Sequence, residues 1–262
     1  MSNEIQRQTR APTMRQRVQT MAGAMLVDMV GEKRATESGA RTALAFAAAH
    51  RAARDPAVIE RCSPQSIAAC VALSALTGLM PGGAMPSVWL VPRNGELQWM
   101  ISHRGLTTLA RRAGYQLSAV PVGKSDTIVV EYGEVIEHRA DVGNAPSELR
   151  DLVGVIVSCK RLEDGAILGR YWLDGAAVRK RSNARGAGPV WQKWPIEMAQ
   201  KTAIKWACAR GLVPIESIEM DQAVAADTRA EGPVTVQATT NAASAFGLAP
   251  AAIETTATEG EE

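Results

Sequence analysis

The chain has 262 residues, 46 % of them hydrophobic, with a formal charge of +2. That is enough for one large domain or two small ones with a sizeable core. Four scattered cysteines (Cys62, Cys70, Cys159, Cys208) without a CxxC pair, no leader-like start and no bilayer-length apolar run argue against a disulfide scaffold, a zinc ribbon and a membrane span, and predict a soluble cytoplasmic protein.

In chain order, Met1–Thr20 is polar and basic and reads as a flexible arm. Helical spacing predicts segments near Thr20–Val30 and Arg41–Asp55, joined by the Gly- and charge-rich stretch Gly31–Gly39. Ser63–Gly78 is a well-punctuated helix, with Ser63 to cap it, Pro64 in its first turn and Gly78 past its end. GLMPGGAMP follows. Without a preceding strand or a Gly-Lys-Ser/Thr ending it reads as a tight connection, not a phosphate loop. Ser87–Pro92 and Leu97–Ser102 alternate around Asn94-Gly95, a hairpin signal. His103–Ala113 is a helix with Leu106, Leu109, Ala110 and Ala113 on one face. Tyr115–Val122, Thr127–Tyr132 and Val135–His138 are short strands, and Leu152–Arg161 with Ala166–Trp172 form a second hairpin. Asp174 caps a helix towards Arg181, a basic glycine-rich loop follows, and Pro195, Gly211 and Pro214 punctuate a helix with Ile196, Ala199, Ala203, Trp206 and Ala207 on its apolar face. Beyond about Ile218, Ala, Thr, Glu and Gly without period predict a disordered tail. The expected class is therefore α+β, a small mainly antiparallel sheet with packed helices. The expected parts are a helical N-terminal region over 1–55, a core over 56–218 and a flexible acidic tail over 219–262.

Catalytic constellations are scarce. His50, His103 and His138 are isolated, and no G-x-S-x-G, H-E-x-x-H or P-loop occurs. Asp126, Glu131 and Glu134 leave open an enzyme on nucleic acid, a Mg²⁺-dependent nuclease. A structural protein with an incidental basic face is a third reading.

The positive signal is charge placement. Val213–Glu262 carries nine acids and one base, so Met1–Leu212 has a net charge of +10. No acid occurs between Leu97 and Ser125, where Arg104, Arg111, Arg112 and Lys124 stand. A second basic run holds Arg179, Lys180, Arg181, Arg185, Lys193, Lys201 and Lys205, with Lys160 and Arg161 earlier. Such cations hold phosphates by counterion release. Lys201 and Lys205, four apart, project from the side of their helix opposite the apolar face. Trp191 and Trp194 either stack bases at the mouth of that helix or pin the loop to the core, whereas Trp206 belongs to the core. These features predict binding of nucleic acid with little sequence preference. The acidic tail is expected to compete with DNA or to recruit a partner.

Several stretches in order resemble the RecT family of phage-type single-strand annealing proteins: DPAVIERCSPQSI (Asp55–Ile67), LTGLMPGGAMPSVWLVPRNGELQWMISHRGLTTLARRAG (Leu76–Gly114), Asp126 with His138, and WQKWPIEMAQKTAIKW (Trp191–Trp206). Arg104-Gly105-Leu106 and Lys201-Thr202 are similar to family signatures, while His103 and Ile128 stand where aromatic residues are usual. The resemblance implies a Rad52-like core. It implies ATP-independent annealing of complementary single strands in recombination, through an annealed duplex intermediate, on a basic groove that crosses the subunits of a ring or filament. The homo-oligomer is expected to form through the N-terminal helices. A 5′→3′ exonuclease and a host single-strand-binding protein are the implied partners. No catalytic residue and no required cofactor carry over, and Mg²⁺ enters only as an ion accompanying DNA.

Overall fold

The helix α4 (Pro64–Thr77) is the axis around which the first half folds. Ser63 caps it by accepting from the Ser66 N–H, Pro64 opens it, and Gly78 closes it in the left-handed region at φ 63°. Every side chain from Val71 to Thr77 is buried, as expected of a helix that is apolar all round. In this computed structural model, residues 12–53, 56–183 and 188–231 are described.

α1 (Met14–Gly39) lies on α4 through Val18, Ala22 and Leu26, four residues apart on one face. It starts at Met14 behind a capping box of Thr13 and Gln16 and breaks at Gly31, where φ is 75°. The expected arm is therefore helical from Met14, and the expected joint at Gly31–Gly39 is one break followed by more helix. α2 (Thr42–Ala52) packs through Ala45, Phe46 and Ala49, and the short α3 (Pro56–Glu60) leads into α4. The N-terminal helices thus share the core of the following elements.

β1 (Val88–Arg93) and β2 (Glu96–Ile101) form a two-stranded antiparallel sheet of their own. Asn94 and Gly95 both have positive φ, 51° and 76°, as a two-residue primed turn requires. Leu97, Trp99 and Ile101 face α4; the Trp99 indole donates to Ser74 Oγ at 3.0 Å. α5 (His103–Arg112), capped by Ser102, follows at once. Gly105 sits so close to the Ser87 carbonyl and the Ile101 side chain that a Cβ would collide with both. The connection between α4 and β1 is held at each end: Arg112 donates to the Thr77 carbonyl at 2.6 Å, and the Ser102 N–H donates to the Ser87 carbonyl at 2.9 Å.

The second sheet is antiparallel throughout. Its strands are β3 (Tyr115–Gly123), β4 (Thr127–Glu131), β5 (Glu134–Arg139), β6 (Leu152–Arg161) and β7 (Ile167–Asp174), in spatial order β3-β6-β7-β5-β4. One face, with Leu117, Ala119, Val155, Val157, Cys159 and Leu173, is covered by α5, α6 (Gly175–Asn183) and α8 (Pro195–Ala209). A smaller cluster of Val122, Val135 and Ile156 lies apart from that core, with Trp172 against it. The α+β class is as expected, although β1–β2 forms a separate sheet.

The largest departure lies at the expected tail. Residues Ile218–Glu231 form α9, which follows α8 and the short α7 (Pro189–Lys193). Its Met220, Ala223, Val224, Ala226, Asp227 and Ala230 are buried. The remainder of the expected tail lies outside the described residues.

Candidate nucleic-acid interface

The helices on the five-stranded sheet carry most of the expected cations, and their surroundings sort them. α5 packs on the sheet through Leu106, Leu109 and Ala110, so its periodicity turns Arg104 and Arg111 outward. Both are exposed; among the described residues the Arg104 side chain bonds only to Met85 Sδ, at 3.3 Å. Arg112, one position on, reaches back to the Thr77 carbonyl instead. It neutralises the negative end of α4 there and fastens the two helices together. His103 opens α5 with its Nε2 buried and without a partner among the described residues. Burial pushes its pKa down from 6.5, so it is neutral at neutral pH and adds no charge to the face.

On α6, Lys180 is exposed. Its neighbours turn to the backbone: Arg179 donates to the carbonyls of Leu149 and Leu152 at 3.1 and 2.8 Å, and Arg181 to Ala177 at 3.0 Å. Arg185 lies outside the described residues. Lys193 is exposed with its ammonium 5.4 Å from the Trp194 ring centroid, and Trp194 is itself 50 % exposed. Trp191 is buried. The two open readings thus divide between the two rings: Trp191 pins the segment, and Trp194 offers a free face beside a cation. Trp206 is half-buried under the Arg210 guanidinium, 5.7 Å from its centroid.

Lys201 and Lys205 do not form the exposed face expected of them. Lys201 is buried and Lys205 nearly so, with side-chain exposures of 8 % and 13 %. Asp227 of α9, wholly buried, reaches between them, with Lys201 Nζ 2.9 Å from Oδ1 and Lys205 Nζ 3.1 Å from Oδ2. Oδ1 also accepts from the Ile101 N–H at 3.1 Å. The physical reason for the correction is that α8 has a second covered face. Charge periodicity on one helix does not show what packs on its far side.

Elsewhere, Lys124 pairs with Asp151 at 3.3 Å and Arg161 with Asp164 at 2.8 Å. Lys160 is exposed on the sheet face opposite Cys159, away from the helices. Arg170, exposed and opposite Ser158 in register, stands on that same face and makes no ion pair among the described residues. The exposed cations therefore divide between two faces. Arg104, Arg111, Lys180 and Lys193 with Trp194 lie on the helix layer, and Lys160 lies on the opposite sheet face together with Arg170, which was not among the expected site residues. Trp89, 56 % exposed on β1, was not among the expected site residues. Strand alternation from the inward Val88 points to it.

The carboxylates considered for a metal are otherwise engaged. Asp126 accepts from the Gly123 and Asp141 N–H groups at 3.1 and 2.8 Å and lies 3.1 Å from His138 Nε2. Burial pushes its pKa up, but those backbone donors and His138 outweigh burial and hold it below the usual value. Glu131 and Glu134 are exposed at the β4–β5 turn. Among the described residues no three His, Cys, Asp or Glu side chains converge as a metal site. No described helix is long and apolar enough to cross a membrane.

No curated protein sequence matches the chain. The sequence model of the RecT family matches residues 42–239, from the first residue of α2 past the end of α9, so the exposed cations of both faces and the Asp227 contact lie inside the match. The chain belongs to the RecT family, whose members anneal single-stranded DNA in recombination.

Proposed function

We propose that this protein anneals complementary single strands without ATP, as a homo-oligomeric ring or filament, by holding phosphate backbones on the helix layer of its sheet. The observation that carries the reading is α5, a helix that opens on a RecT-type Arg-Gly-Leu and whose periodicity turns Arg104 and Arg111 outward in a stretch without any acid. Lys180 and Lys193 extend the same helical layer, Arg185 stands between them in the sequence, and Lys124, Lys160, Arg161 and Arg170 supply further charge. Arg112, Arg179 and Arg181 shape this surface from behind by binding carbonyls. Trp194 stacks on a base beside Lys193, and Trp191 holds the segment that presents it.

Phosphate contacts of this kind carry no sequence information. Sequence is tested by the second strand, which pairs with bases left accessible on the first. Annealing is downhill, so no nucleotide hydrolysis is required, and Mg²⁺ acts only by screening DNA. The N-terminal helices contribute the subunit contact, and a 5′→3′ exonuclease and a host single-strand-binding protein are the partners in the cytoplasm.

The test mixes the protein with complementary labelled oligonucleotides, with and without Mg²⁺, in the absence of nucleotide. Faster duplex formation with strands of unchanged length supports the reading. Shortened strands, or annealing at the protein-free rate, would overturn it.

A further inference from the structure

At least three donors among the described residues converge on Asp227: two lysine ammonium groups and the Ile101 N–H, at 2.9–3.1 Å. A pair of ammonium groups with a backbone N–H is also the donor set that binds phosphate oxygens. A carboxylate presents two oxygens to it much as a phosphodiester does. We infer that the Lys201–Lys205–Ile101 cluster is a binding site for a backbone phosphate of single-stranded DNA, occupied in this structure by Asp227, and that DNA displaces α9 to reach it. The inference rests on the annealing reading above and adds a site and a gate to it.

The way α9 is held supports displacement. Its buried apolar side chains are Met220 and Val224 together with alanines 223, 226 and 230, so that most of the apolar side chains by which this 14-residue helix docks are small. An open cleft of about 220 Å³, lined by Cys208, Val213, Met220 and Val224 among others, runs beside the link from α8 to α9. Among the described residues the polar tethers include the Asp227 contacts and an exposed pair between Arg34 and Glu219 at 3.0 Å. A ligand that engages the same donors competes directly with the strongest of these tethers. By population shift, it favours the lifted state only as far as it binds that state better.

The deciding experiment is hydrogen–deuterium exchange on the full chain, with and without saturating oligothymidylate, read by peptide mass. The expected result is faster exchange across 218–231 when DNA is bound, with Lys201–Lys205 peptides protected. Unchanged or slower exchange across 218–231 in a chain shown by anisotropy to be DNA-bound overturns the gate and leaves the annealing reading standing. Absence of DNA binding removes the annealing reading itself. Inorganic phosphate at matched concentration should not open α9; opening by phosphate and not by oligothymidylate also overturns the inference. As a second arm, Asp227→Asn should tighten DNA binding roughly tenfold, because the closed population no longer competes, and adding Lys201→Gln should cancel that gain. A folded Asp227→Asn chain with wild-type affinity counts against it, and if this variant does not fold, the exchange result on the wild-type chain decides alone.

Discussion

α5 and α8 resemble each other as sequences. Each is a capped or proline-led helix with an apolar face and bases elsewhere on it, Arg104, Arg111 and Arg112 on α5 and Lys201 and Lys205 on α8. In the fold they are opposites. The outer side of α5 is open, so Arg104 and Arg111 remain solvated and available to a polyanion. The corresponding side of α8 lies under α9, so Lys201 and Lys205 are desolvated and both reach the Asp227 carboxylate. The difference teaches that a basic stripe specifies charge and not access. Access depends on a segment 20 residues or more along the chain, whose own sequence is unremarkable in period.

That contrast can be broken by mutation. Lys201→Ala leaves Asp227 buried with one partner fewer, and stability should fall by about 3–5 kcal/mol, read from urea unfolding. Lys205→Ala, at the better-solvated end, should cost less. On α5 the structural arginine is Arg112. Arg112→Ala removes a charged hydrogen bond to the last turn of α4 and should cost about 2 kcal/mol in the same assay.

Exposed positions should behave the other way. Replacing both Arg104 and Arg111 by Ala should leave stability within about 0.5 kcal/mol. The log–log salt dependence of single-strand binding should flatten by about 1.4, from two lost phosphate contacts. An unchanged salt slope would remove α5 from the interface. Trp194→Ala should weaken binding by about 1 kcal/mol, as the loss of one stacked base, without altering the unfolding midpoint.

The smallest effect concerns acid. The folded pKa of Asp126 is depressed from its ordinary 3.8. Its contribution to stability is therefore complete above that ordinary value and is lost as pH falls through the depressed one. The unfolding midpoint of wild type should drop more steeply than that of Asp126→Asn as pH is taken below about 5, and parallel curves would show that Asp126 does not supply this stability.

Much of this architecture was legible because local chemistry dictated it. Ser63, Pro64 and Gly78 delimit α4, Asn94-Gly95 forces the first hairpin, and Gly165 marks the turn of the second. α9 was illegible for a physical reason. It docks largely through alanines and one aspartate, with only Met220 and Val224 as larger buried apolar side chains, and an Ala-, Asp- and Glu-rich stretch has the same composition whether it is solvated or buried. The fate of Lys201 and Lys205 was hidden with it. The division of Arg111 from Arg112 was also beyond reach, since it depends on a carbonyl brought close by the packing of α4 on α5. Trp89 was within reach, because the alternation that buries Val88 turns its neighbour outward.

The connection between α4 and β1 offers something practical. It is clamped at both ends, by Arg112 on the Thr77 carbonyl and by Ser102 on that of Ser87, yet Gly83, Ala84 and Met85 between the clamps are exposed. Cys62, Cys70 and Cys159 are buried, and the Cys208 thiol is pushed up to about 12 by burial, so none of them presents a ready thiolate. Met85→Cys would be the one readily labelled thiol among the described residues. A dye there, next to Arg104 on a backbone fixed at either side, would work as an optical reporter of strands arriving at α5.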